Sequence, residues 1–144
     1  MIKLKRAFVV DTDPAYESTI QWQLRQSGFE VASVSSCNGL NENLSGGNLI
    51  VLDHYLKGCI TGVESLRQIK SQHRDIPVLF LLNPIDMHTA AQTLFAGAFY
   101  YVEKGHSFLK QFKYAIDQVN SNQKGTSRNL LLSFRKKVFS LYGF

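Results

Sequence analysis

Three short apolar runs punctuate the chain: Ala7-Phe8-Val9-Val10, Leu49-Ile50-Val51-Leu52 and Val78-Leu79-Phe80-Leu81-Leu82. None alternates with polar residues, and none is as long as an ordinary helix. That pattern predicts strands buried on both faces, as in a parallel sheet. The first two runs end on an acid, Asp11 and Asp53, and the third ends on none. A parallel strand releases its last residue at the carboxyl edge of the sheet, where open α/β folds keep their chemistry.

The segments between the runs carry apolar residues at helical spacing. Asp13-Pro14 reads as a helix N-cap and first helical residue, Tyr16, Ile20 and Leu24 share one face, and Gly28 stops the helix. Phe29 to Val34 reads as a second strand. Residues 35–47 are rich in Ser, Asn and Gly, with Leu40 and Leu44 as the only inward positions, so any helix there is short and weak. A loop with Gly58 and Gly62 precedes a helix that turns Val63, Leu66 and Ile69 inward. Ile76-Pro77 opens the fourth strand. Asn83-Pro84 breaks the chain before a helix of about residues 86–96 carrying Met87, Ala91 and Leu94, which Gly97 ends. Ala98 to Val102 reads as a fifth strand. Gly105-His106-Ser107 then leads into a helix with Phe108, Phe112, Ala115, Ile116 and Val119 on one face.

Five βα units in alternation predict an α/β fold, a five-stranded parallel sheet doubly wound as (βα)5. This domain takes residues 1–122. Residues 123–144 read as a polar linker and a basic amphipathic helical extension, with Leu131, Phe134, Val138 and Tyr142 at helical spacing.

Composition adds limits. The chain has 144 residues, 44% hydrophobic and 19% charged, as expected of one ordinary globular domain. No apolar run approaches a membrane span. The basic start, residues 1–6, leads straight into a strand without the h-region of a secretory signal, which predicts a cytoplasmic protein. Cys37 and Cys59 lie in unrelated loops and read as reduced thiols. Neither they nor His54, His73, His88 and His106 have metal-ligand spacing. The net charge is +5, and basic residues gather late, at Lys124, Arg128, Arg135, Lys136 and Lys137. That asymmetry suggests that residues 124–144 have a partner of their own: this domain, a second copy in a homodimer, nucleic acid or an anionic membrane.

Four stretches in register carry a family resemblance: Val9-Val10-Asp11-Thr12-Asp13-Pro14, Leu49-Ile50-Val51-Leu52-Asp53, Ile76-Pro77-Val78-Leu79, and Gly97-Ala98 followed by Tyr100-Tyr101-Val102-Glu103-Lys104. Over about residues 5–122 the chain resembles the receiver domain of two-component response regulators. The resemblance implies a flavodoxin-like receiver fold and a signalling domain rather than an enzyme, with a sensor kinase or an output protein as partner. It implies Asp53 as the phospho-acceptor position, Asp11 and Asp53 as Mg²⁺ ligands, and Lys104 as the cation that meets the phosphoryl charge. Leu82 and Tyr101 fall at its switch positions.

The departures from the family pattern are chemical. Thr12 stands where the second metal-site acid belongs, and a neutral hydroxyl is a poorer ligand for a hard dication. Asp13 reads as a cap rather than its substitute. Leu82 stands where a Ser or Thr hydroxyl would hold the phosphoryl group. Gly105 replaces a proline, which suggests a different aim for Lys104. The loop from His54 to Gly62 lacks a proline and is one residue longer. These changes predict a weakened Mg²⁺ site, a pocket held closed by a salt bridge among Asp11, Lys104 and Asp53, and regulation through protein contacts. One alternative is a competent receiver that takes a phosphoryl group on Asp53 from a histidine kinase. The other is binding of nucleic acid or an anionic membrane through the basic C-terminal segment. A flavodoxin-like cofactor binder is disfavoured, because the turn after the first strand is acidic and lacks phosphate-cradling glycines.

Overall fold

The computed structural model describes residues 4–10, 13–34, 44–54, 62–83 and 87–122. In chain order these form β1 (Lys5–Val10), α1 (Pro14–Gln26), β2 (Phe29–Val34), β3 (Leu49–Asp53), α2 (Gly62–Gln72), β4 (Val78–Leu82), α3 (Met87–Phe95), β5 (Tyr100–Glu103) and α4 (Phe108–Asn122). The strands make one sheet in the order β2-β1-β3-β4-β5, every pair parallel. Successive connections leave β1 in opposite directions. The strand order therefore reverses between β1 and β3, where open α/β sheets form a crevice at their carboxyl edge. Asp53 is the last residue of β3 and sits beside that reversal.

Strand alternation divides the interior in two. Ala7, Val9, Leu49, Val51, Leu79, Leu81 and Val102 face one way and pack with Ile20 and Leu24 of α1 and Phe108, Phe112 and Ile116 of α4. Phe8, Val10, Ile50, Leu52, Val78, Phe80 and Leu82 face the other way and pack with Leu66 and Ile69 of α2 and Ala90 of α3. All five residues of β3 and of β4 are buried, which explains their lack of polar alternation. Each fully buried Leu, Ile or Val contributes about 1.5–3 kcal/mol. The central strands therefore form a firm base for what projects from their ends.

The ends of α1 follow the sequence. Asp13 Oδ1 accepts the Ala15 N–H at 3.0 Å, and Gly28 takes φ +92° just past the last turn. Two elements differ. Strand β5 begins at Tyr100 rather than Ala98, because the Ala98 N–H turns back to Thr93 O and completes the end of α3. The inward face of α3 is Thr89, Ala90, Thr93 and Leu94, with Ala91 only half-buried. Threonine can take an inward place because the Thr93 hydroxyl donates to Ala90 O at 2.7 Å. The side chain of Met87 is not among those described. Leu44 is buried as expected and residues 44–47 form a turn, whereas Leu40 and the rest of the weak helix expected over 35–47, both cysteines and residues 123–144 lie outside the described residues. No helix among the described residues is long and apolar enough to cross a membrane.

Candidate functional site

Two oppositely charged side chains meet at the carboxyl edge. Asp53 is 1% exposed and Lys104 is 6% exposed, and Lys104 Nζ donates to Asp53 Oδ2 at 2.7 Å. Lys104 directly follows β5, and its backbone N–H is bonded to Leu82 O at 2.7 Å. That bond fixes the lysine backbone beside the end of β4 before the chain reaches Gly105. Gly105, at φ +144°, turns the chain toward α4, while the lysine side chain reaches Asp53.

The N-terminus of α1 completes the described part of the site. The Asp13 N–H donates to Asp53 Oδ2 at 3.3 Å, so this oxygen receives a backbone amide as well as the ammonium. The positive end of the helix macrodipole also favours a carboxylate there. The Tyr16 ring lies with its centroid 5.5 Å from Lys104 Nζ and makes an edge contact with Phe108, centroids 4.8 Å apart at 70°. In the sequence Tyr16 shows only its place on the apolar face of α1. An aromatic residue in the first turn, above the ends of β1 and β3, is the signal that could have singled it out. The Asp13 amide has no such signal, since any non-proline residue supplies a backbone N–H.

Leu82 and Tyr101, which the family resemblance puts at switch positions, lie at the end of β4 and in β5. Leu82 is 2% exposed and belongs to the cluster of Val10, Leu52, Phe80 and Ala90. Tyr101 packs on that same cluster, whereas Tyr100 packs on the cluster across the sheet. The two rings stack at 6.1 Å and 24°, and Tyr100 also meets Tyr114 edge-on at 6.1 Å. Burial first, then the neighbouring phenols of Tyr114 and Tyr101, push the Tyr100 hydroxyl up to about 12.

Asp11 and Thr12 lie outside the described residues. What is described fits a hard dication poorly. Asp53 Oδ2 accepts an ammonium and an amide, and the Asp13 carboxylate caps its own helix. Among the described residues no three acids, histidines or cysteines are grouped as metal ligands. A dication at Asp53 would share the carboxylate with an ammonium that already balances its charge.

Comparison with known proteins agrees with this architecture. The chain is 27% identical over 99 residues to the nitrogen assimilation regulatory protein NtrX of Azorhizobium caulinodans, covering 67% of this chain and 22% of the relative. It is 28% identical over 101 residues to the C4-dicarboxylate transport transcriptional regulatory protein DctD of Pseudomonas aeruginosa, covering 69% and 22%. The chain thus spans about a fifth of the length of these curated relatives. Among solved structures, a response regulator receiver domain from Clostridium thermocellum superposes with a TM-score of 0.71 at 24% identity, covering 84% of this chain and 98% of that one. The response regulator DrrB of Thermotoga maritima superposes at 0.73 with 21% identity, covering 84% and 54%. The family model of the response regulator receiver domain matches residues 7–116, and with the parallel sheet and the acid and lysine at its edge, the chain belongs to the response regulator receiver domain family, the signalling domain of two-component systems.

Proposed function

We propose that this receiver is atypical: it acts through protein–protein contacts, and its Asp53 site is not switched by phosphorylation in the usual way. The observation that carries this reading is the packing of Leu82. A phosphoryl group on Asp53 needs hydrogen-bond donors around its oxygens. At the end of β4 the chain offers a leucine sealed into an apolar cluster, with Tyr101 packed on the same cluster. The aromatic ring thus has an apolar neighbour where the family couples it to a phosphate-bound hydroxyl.

The charge arrangement supports the same reading. Asp53 is the phospho-acceptor position, and Lys104 holds it as a buried pair. Thr12 in place of a second acid leaves Asp11 and Asp53 as a weakened Mg²⁺ site. The domain works in the cytoplasm as a signalling module, not as an enzyme. Its partner, a sensor kinase, an output protein or a second copy, meets the face of α3, β5 and α4, where Phe95 and Tyr114 are exposed. Both curated relatives are regulatory proteins by name, which accords with this role.

The test is incubation with Mg²⁺ and either acetyl phosphate or beryllofluoride, read by intact mass and by NMR. The expected result is no stoichiometric adduct. A full adduct that disappears in Asp53→Asn overturns the reading in favour of a competent phospho-acceptor.

A further inference from the structure

We infer that Tyr16 is a positioning residue that holds the Lys104 ammonium on Asp53. The inference rests on the reading of Asp53 as a site kept closed by Lys104, and it names what keeps it closed.

The need comes from Lys104 itself. An ammonium has three N–H donors and is costly to remove from water. Lys104 is almost wholly buried, and among the described residues its ammonium donates to Asp53 Oδ2. Among the described residues a further attraction comes from the Tyr16 ring, whose centroid at 5.5 Å lies within the reach of about 6 Å over which an aromatic quadrupole attracts a cation.

The ring is in turn held in place. Phe108 meets it edge-on at 4.8 Å, and Phe108 stacks on Phe112 at 5.4 Å and 13°. Both phenylalanines are buried in the cluster that joins α1 to α4. Tyr16 follows Asp13 by three residues, so the first turn of α1 contacts both members of the ion pair. The Asp13 N–H meets the carboxylate and the Tyr16 ring meets the ammonium. An aliphatic side chain could fill the same space but has no quadrupole to offer the cation.

The test is acetylation of the full chain by a limiting amine-reactive ester, with the rate at Lys104 read by peptide mass spectrometry. The exposed Lys110 and Lys113 of α4 serve as internal references. Lys104 is expected to react slowly in the native chain and in Tyr16→Phe, which keeps the ring. In Tyr16→Leu it is expected to react about tenfold faster relative to the references. Tyr16→Met is a second ring-less variant should the leucine variant lose its native circular dichroism. Equal Lys104 rates in the native, Phe and ring-less chains overturn the inference, as does an equal acceleration in Phe and Leu. The adduct assay on the native chain reports on the Asp53 reading alone, so the two conclusions fail separately.

Discussion

Lys104 Nζ stands 2.7 Å from Asp53 Oδ2, and both side chains are closed off from solvent. Removing one member of such a pair leaves the other charged and buried, which costs about 3–5 kcal/mol. Lys104→Met and Asp53→Asn are each expected to lower unfolding stability by about that amount. The double variant should lose less than the sum, by about 1–3 kcal/mol, because no orphaned charge remains. Urea titrations of the four proteins measure this coupling, and strict additivity would show that the two groups do not depend on each other. The coupling should change little with salt, since screening acts weakly on a buried pair.

Leu82 supports a prediction in two directions. Its side chain fills the cluster of Val10, Leu52, Phe80 and Ala90, so Leu82→Ala should cost about 2–5 kcal/mol. Leu82→Thr also removes apolar volume but places a hydroxyl at the end of β4. Combined with Thr12→Asp, it supplies the donor and the acid that the sequence lacks. The double variant is expected to form a Mg²⁺-dependent beryllofluoride or acetyl phosphate adduct that the native chain does not form, while losing about 2 kcal/mol of stability. Intact mass and a urea midpoint read the two effects. If no adduct is gained, the hold of Lys104 on Asp53 is the stronger obstacle.

The parts of this molecule that are legible in its sequence are those where one force dominates. The strands Leu49–Asp53 and Val78–Leu82 are buried on both faces, which leaves no position for a polar residue, so the runs show plainly. Asp13-Pro14 marks the start of α1 because capping demands those residue types. Asp53, the last residue of β3, and Lys104, directly after β5, are visible because they fall where strands end on the same edge. Less legible is whatever depends on rotation or on backbone groups. The inward face of α3 includes Thr89 and Thr93, which a reading of apolar spacing passes over, because a threonine hydroxyl can be satisfied within its own helix. The Asp13 amide and the Tyr16 ring reach the site through the placement of α1 on the sheet, a tertiary relationship that leaves the amide no local signature and the ring only its place in the first turn.

Gly62 and Gly105 frame the site for different reasons and should respond differently to alanine. A Cβ on Gly62 would lie 2.7 Å from His54 Cα and 2.8 Å from His54 O, the backbone directly after Asp53. Backbone cannot yield as a side-chain tip can, so Gly62→Ala should cost about 2–3 kcal/mol and shift the NMR signals of His54 and Asp53. At Gly105 there is open space around the missing Cβ, but φ is +144°. Gly105→Ala should therefore cost about 1–2 kcal/mol through backbone strain alone, with its shifts centred on Lys104. If Gly62→Ala proves the milder change, the close approach of α2 to His54 is not what the glycine serves.

The tyrosines of β5 predict a pH dependence with a definite sign. Burial, with Tyr114 and Tyr101 nearby, raises the Tyr100 hydroxyl from the ordinary 10.0 to about 12 in the folded chain. Between those values the unfolded chain has lost this proton while the folded chain still holds it. The folded state then binds more protons, so stability must fall as pH rises. The contribution is complete below pH 10.0 and is lost as pH climbs toward about 12. Urea titrations across that window should show a shallower decline for Tyr100→Phe than for the native chain. Ultraviolet titration should show one fewer late-ionising phenol in the same variant. Tyr114→Phe removes a neighbouring negative charge and should make Tyr100 ionise earlier, though still later than an exposed tyrosine because burial remains the larger cause. A Tyr100→Phe curve as steep as the native one would assign the alkaline loss to other groups and leave Tyr100 without a part in it.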